Sequence, residues 1–147
     1  MDKVEKLCHD ALKRGAQAVI GGHRVDDRPG YYFPPTILTK VSPDMPIECQ
    51  EAFGPVVTIS SFDKPEEALA LANGTDYGLT AGVYTKHLSL AHWTADRLLA
   101  GTVYVNNWFA GGNETPFGGF KKSGLGRIKS LEALSHFYQI RNVAIKL

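Results

Sequence analysis

Cysteine is scarce in this chain: Cys8 and Cys49 are the only two among 147 residues. They form neither a C-x-x-C pair nor a zinc-ligand spacing, which excludes a cysteine-built metal site and a disulfide scaffold. With no basic, apolar leader at the N-terminus, two free thiols point to a reducing, cytoplasmic setting. No apolar run approaches the ~20 residues that a bilayer-spanning helix needs. Charge of one sign is lacking too. Sixteen Lys and Arg stand against fifteen Asp and Glu, a formal net charge of +1. No long-range field therefore steers the chain to nucleic acid or to an anionic membrane. The densest basic patch, Lys121, Lys122, Arg127 and Lys129, is too small for a polybasic arm and reads as a solvated loop face. The five histidines, His9, His23, His87, His92 and His136, fall in separate segments without a paired carboxylate or cysteine, so no metal site is expected.

What is present is enough for one domain, 1–147. At 44% hydrophobic, a chain of this length can bury about two-thirds of its unfolded surface. Val4, Leu7, Cys8, Ala11 and Leu12 recur at helical spacing before Gly15, which predicts a helix over 2–14 with a left-handed stop. "AQAVIGG" reads as a short strand, and "YYFPPTILTKV" as extended chain around Pro34-Pro35. The continuous β-branched run "GPVVTISSF" predicts a strand buried on both faces. In "DKPEEALALANG", Asp63 as N-cap, Pro65 in the first turn and Glu66 at capping-box spacing predict a helix that Asn73-Gly74 stops. "AGVYT", "SLAHWTADRLLAG" and "TVYVN" continue as strand, helix and strand. This alternation predicts an α/β fold, a mostly parallel sheet flanked by helices. A short helical stretch near Ser130–His136 precedes "FYQIRNVAIKL", whose period-2 alternation predicts a terminal strand. Such an apolar edge must pair with an internal strand or with another subunit.

The stretch "NETPFGGFKKSGLGR", Asn113–Arg127, concentrates glycine beside lysine and raises the question of a phosphate loop. It fails the P-loop pattern, because Gly119-FKKS-Gly124 is followed by Leu125 where lysine is required. It fails the dinucleotide fingerprint as well, since Lys129 stands where the third glycine belongs and no strand precedes it. In "IECQEAFGPVV", Glu51 and Phe53 sit at the start of a strand, a common place for ligand contacts; the alternative is a helix end with a structural turn.

Four stretches in register, "ECQEAFGPVV", "NGTDYGLTAGVYT", "AGTVYVNNW" and "ETPFGGFKKSGLGR", resemble the C-terminal part of the NAD(P)-dependent aldehyde dehydrogenase superfamily. The resemblance covers essentially the whole chain. It implies that Glu51 hydrogen-bonds the nicotinamide-ribose hydroxyls of NAD or NADP and that Phe53 packs beside that ribose. It implies that Trp108 and Phe117 line the aldehyde tunnel, with Asn107, Phe109, Gly111 and Asn113 on the same variable loop. The glycine-rich stretch then shapes a substrate tunnel and holds no phosphate. The last strand, Tyr138–Lys146, resembles the segment that joins a partner subunit, so a homo-oligomer is expected.

The family's chemistry is attack of a cysteine thiolate on the aldehyde, hydride transfer, then hydrolysis by glutamate-activated water. The resemblance places nucleophile, base, oxyanion-hole asparagine and nucleotide domain upstream of this chain, which looks like roughly the last third of a full-length member. No catalytic residue is therefore assigned, and the chain is expected to be inactive alone and to hold no cofactor tightly. Its expected partners are itself or a separate upstream half. Cys49, two residues before Glu51, stands where the family has no nucleophile. The resemblance further implies a glutamate after the equivalent of Arg127 in many members; Ile128 stands there and cannot carry a proton. The rival reading is a non-enzymatic assembly module derived from such an enzyme.

Overall fold

A computed structural model describes residues 1–25 and 29–147, which form two compact units, 1–76 and 77–147. The core of the first unit is one helix laid on a small sheet. Helix α1 (Asp2–Lys13) buries Val4, Leu7, Cys8 and Ala11, the stripe that the i, i+3, i+4 spacing dictates. Gly15 follows at φ +103°, a left-handed stop that a side chain at this position would strain. Strands β1 (Gln17–Ile20), β2 (Thr36–Thr39) and β3 (Val56–Ile59) make a sheet in that order. β1 pairs antiparallel with β2, and β2 pairs parallel with β3, Thr36 opposite Val56 through Thr39 opposite Ile59. Leu38, fully buried on the central strand, meets the α1 stripe together with Met45 and Ile47. Burying a leucine of this kind stabilises the unit by about 1.5–3 kcal/mol.

The two-sided burial expected of β3 is not found. Its burial alternates, and Val57 and Ile59 are each more than half exposed. Helix α1 covers one face of the sheet, and the core cluster takes in Val56. A β-branched run has the same composition whether one face or both are covered, so the sequence pattern could not separate the cases.

Helix α2 (Pro46–Cys49) is a single turn between β2 and β3, and helix α3 (Pro65–Asn73) follows β3. The capping expected of Asp63 and Glu66 is displaced by one residue. Lys64 occupies the N-cap without a side-chain bond, and Glu67 Oε2 accepts from the Asp63 backbone N–H at 3.1 Å. The reach back to an orphan amide, half of a capping box, is kept through the other glutamate.

The second unit contains β4 (Tyr77–Gly78), β5 (Thr80–Val83), helix α4 (Leu88–Ala95), β6 (Thr102–Val105) and β7 (Phe120–Lys121). β5 and β6 pair parallel, and α4 makes the crossover between them; β4 and β7 pair antiparallel. The fold is α/β as expected, with mixed sheets whose longest ladders are the parallel ones. A 3-10 helix, Glu132–Phe137, occupies the predicted helical stretch. Beyond it, Tyr138–Leu147 pairs with no strand among the described residues, so of the two expected pairings for this segment the internal one is not found. Its apolar residues Ile140, Val143, Ile145 and Leu147 are all exposed. The sheets of the unit offer this segment no ladder, and an extended chain without a neighbour has no hydrogen bonds that define a strand. Among the described residues no helix is long and apolar enough to cross a membrane.

Candidate functional site

The predicted ligand residues fall into two groups, one in each unit. Glu51 and Phe53 lie in the loop between α2 and β3. Both are exposed, Phe53 at 86%, and Phe53 sits at φ +49°. A left-handed phenylalanine is strained and persists only where its surroundings fix it. Two contacts from α1 do so. The Lys3 ammonium donates to the Glu51 carbonyl at 2.5 Å, and a Cβ on Gly54 would come within 2.7 Å of a Val4 methyl carbon. The loop is thus held just before and just after Phe53. Sequence reading missed Lys3: it lies 48 residues away on the exposed side of α1, and no local pattern marks it.

Cys49, at the end of α2, is exposed, and its Sγ donates to the Pro43 carbonyl at 3.4 Å. Among the described residues no histidine or carboxylate bonds it, so none of them is placed as a base that would raise its nucleophilicity. Cys8 is fully buried in the core, where desolvation pushes its thiol above the ordinary value. Among the described residues no cluster of histidine, cysteine and carboxylates could hold a metal ion.

The second group follows β6. Asn106 ends that strand at φ +52°, a left-handed position that asparagine tolerates better than most residues. Its N–H donates to the Val83 carbonyl at 2.8 Å. Its side chain then bonds Thr85 twice, accepting from the Thr85 N–H and donating to the Thr85 carbonyl, each at 2.8 Å. Beyond this clamp, Asn107 Oδ1 accepts from the Trp108 N–H at 2.7 Å. The Trp108 ring stands 5.2 Å from buried Tyr104 and 5.6 Å from Phe109, the latter edge-on at 84°. Trp108 is 49% exposed and Phe109, at φ +58°, is 72% exposed. A Cβ on Gly82 of β5 would lie 3.2 Å from the indole, so the indole rests on bare backbone. Sequence reading named Trp108 and Phe109 and missed Asn106 and Gly82. A strand-terminal asparagine before a polar residue was the available signal for Asn106.

Gly111 turns at φ +110° against Thr115, and the Asn113 carbonyl accepts from the Ser130 N–H at 2.7 Å. Phe117 bridges antiparallel to Ile128 through reciprocal backbone bonds of 2.9 and 2.8 Å, and the Lys129 ammonium lies 6.0 Å from its ring centroid. Ile128 therefore acts here through its main chain. The glycines between answer the phosphate-loop question. A Cβ on Gly101 would fall 1.7 Å from the Gly118 carbonyl oxygen, and one on Gly118 would fall 2.6 Å from that of Gly126. Arg127 Nη1 donates to the Gly119 and Gly126 carbonyls at 3.1 and 2.7 Å. The close approach is of this backbone to itself. A hollow of about 360 Å³ remains beside it, lined by Leu79, Phe117, Gly119, Leu125, Ile128 and His136.

Strand–helix–strand crossovers that end in exposed, aromatic-bearing loops define an α/β protein. The family model for the aldehyde dehydrogenase family matches residues 1–143, and the chain belongs to that family. It is 42% identical to an aldehyde dehydrogenase of Emericella nidulans, over 99% of this chain and 29% of that protein. It is also 42% identical to a cytosolic 10-formyltetrahydrofolate dehydrogenase of Xenopus tropicalis, over 99% of this chain and 16% of that one. Among solved structures, the indole-3-acetaldehyde dehydrogenase of P. syringae in complex with NAD+ superposes with a TM-score of 0.89. It shares 43% identity over 99% of this chain and 30% of its own. The chain thus spans less than a third of the length of these relatives.

Proposed function

We propose that this chain supplies cofactor, substrate and assembly elements to the NAD(P)-dependent oxidation of an aldehyde to a carboxylic acid, and that it is inactive alone. The observation that carries this reading is the paired presentation of Glu51 and Phe53 on a loop that α1 holds in place. An exposed carboxylate accepts hydrogen bonds from two vicinal ribose hydroxyls, and an exposed ring beside it packs on the sugar face. The donor set fits a nicotinamide ribose. The bound nicotinamide ring would supply the hydride acceptor. Glu51 binds the ribose, Phe53 limits its tilt, and the loop from Asn107 to Phe117 lines the aldehyde's path. Inactivity alone rests on the two thiols: Cys8 is sealed in the core, and Cys49 has no base among the described residues.

A second reading, an assembly module without catalysis, draws on the exposed apolar segment 138–147, which has no ladder among the described residues. The two readings separate in one experiment. The chain is mixed with a polypeptide that carries the family's nucleotide domain and cysteine, and NADH is followed at 340 nm. The first reading predicts turnover in the mixture only, with Glu51→Ala raising KM for NAD+ roughly tenfold, the loss of one charge-assisted contact. Assembly without turnover favours the second.

A further inference from the structure

The substrate-lining reading leaves open what kind of aldehyde the loop accepts, and the geometry beyond β6 bears on that. The Trp108 indole and the Phe109 ring meet edge-on at 5.6 Å, leaving an L-shaped corner of two apolar faces. The corner is built rigidly. Tyr104, 7% exposed, backs both rings at 5.2 and 6.2 Å, Gly82 lies beneath the indole, and the Asn106–Thr85 clamp fixes the turn that leads into them.

We propose that Gly82, Trp108 and Phe109 are a specificity device that selects aldehydes with a flat, neutral, apolar or aromatic body over cationic ones. This rests on the substrate-lining reading above. A planar body can stack on one ring and meet the edge of the other, the offset and T-shaped geometries that aromatic pairs favour. Ring faces also attract cations, so the charge beside the lining decides between the two classes. The cation here belongs to the protein: Lys129 stands over Phe117, the third lining ring, and repels a second positive charge. The carboxylate of the loop, Glu114, is turned onto the Gly112 N–H at 3.1 Å. Gly82 sets the seat. A methyl group there would come within 3.2 Å of the indole, so the ring must shift by a few tenths of an ångström against its neighbours, with the rings themselves unchanged.

The test uses the whole chain with Trp93→Phe, which leaves Trp108 as its only tryptophan. Fluorescence excited at the indole edge is titrated with 2-phenylethanol, a flat neutral probe, and with choline, a cationic one; neither alcohol reacts with lysine. The expected result is a saturable Trp108 response to 2-phenylethanol and none to choline. Gly82→Ala and Phe109→Ala should each weaken the response roughly fivefold, the worth of one ring contact. Phe109 is exposed, so its variant should keep the fold, and far-UV circular dichroism verifies both. Choline binding as tightly as 2-phenylethanol would overturn the proposed class and leave the loop as a ligand site. Saturation by neither probe would overturn the substrate-lining reading and this proposal with it. Wild-type binding by both variants would overturn the platform.

Discussion

Asn106 completes with its side chain the ladder that β5 and β6 leave unfinished. Its carboxamide accepts from the Thr85 N–H and donates to the Thr85 carbonyl, each at 2.8 Å, as one more paired residue would. The backbone at Asn106, freed from that duty, turns left-handed and starts the loop that carries Trp108 and Phe109.

Asn106→Ala removes both bonds and places alanine in a strained conformation, so a loss of about 2–3 kcal/mol is expected. Asn106→Gly removes the same bonds without the strain and should cost about 1–2 kcal/mol. Urea denaturation followed by Trp fluorescence measures both. Equal losses would show that the backbone conformation contributes nothing.

Cys8 gives the first unit an alkaline weakness. Burial raises its thiol above the ordinary value of 9.0, so folding favours the neutral form. That contribution is complete below 9.0 and is lost as pH rises through the raised value. Wild type should therefore lose stability more steeply than Cys8→Ala above pH 9.0, and the two slopes should agree at neutral pH. In native protein a maleimide should label Cys49 alone, with Cys8 following only on unfolding. Rapid labelling of both thiols would contradict the buried core.

The segment 138–147 tests assembly. Its exposed Ile140, Val143 and Ile145 make no ladder among the described residues, and an apolar strand edge associates. Removal of these residues should leave the melting temperature of the second unit nearly unchanged and should lower the oligomeric state in light scattering. A truncated chain with the mass distribution of the full chain would show that association lies elsewhere.

The sequence carried the order of the elements further than their surroundings. The α1 stripe, the Gly15 stop and the β5–α4–β6 crossover were legible because periodicity and local turn chemistry decide them. The exposure of Val57 and Ile59 was not, because the covering of a strand's second face is decided by tertiary neighbours. The terminal strand expected over 138–147 must pair with an internal edge or with another subunit. The internal pairing is not found among the described residues, since a ladder depends on a partner that local pattern does not reveal. At the site, the aromatic residues announce themselves. Lys3, Gly82 and Asn106 act through contacts 48, 26 and 21 positions away in sequence, and such contacts exist only once the chain has folded.

The most direct test of the account is NADH formation at 340 nm by the purified chain with NAD+ and a panel of aromatic, aliphatic and cationic aldehydes. The account predicts no turnover, because Cys8 is sealed in the core and Cys49 has no base beside it among the described residues. Turnover by the chain alone, abolished by Cys49→Ala, would contradict it and make Cys49 the nucleophile of a self-sufficient enzyme.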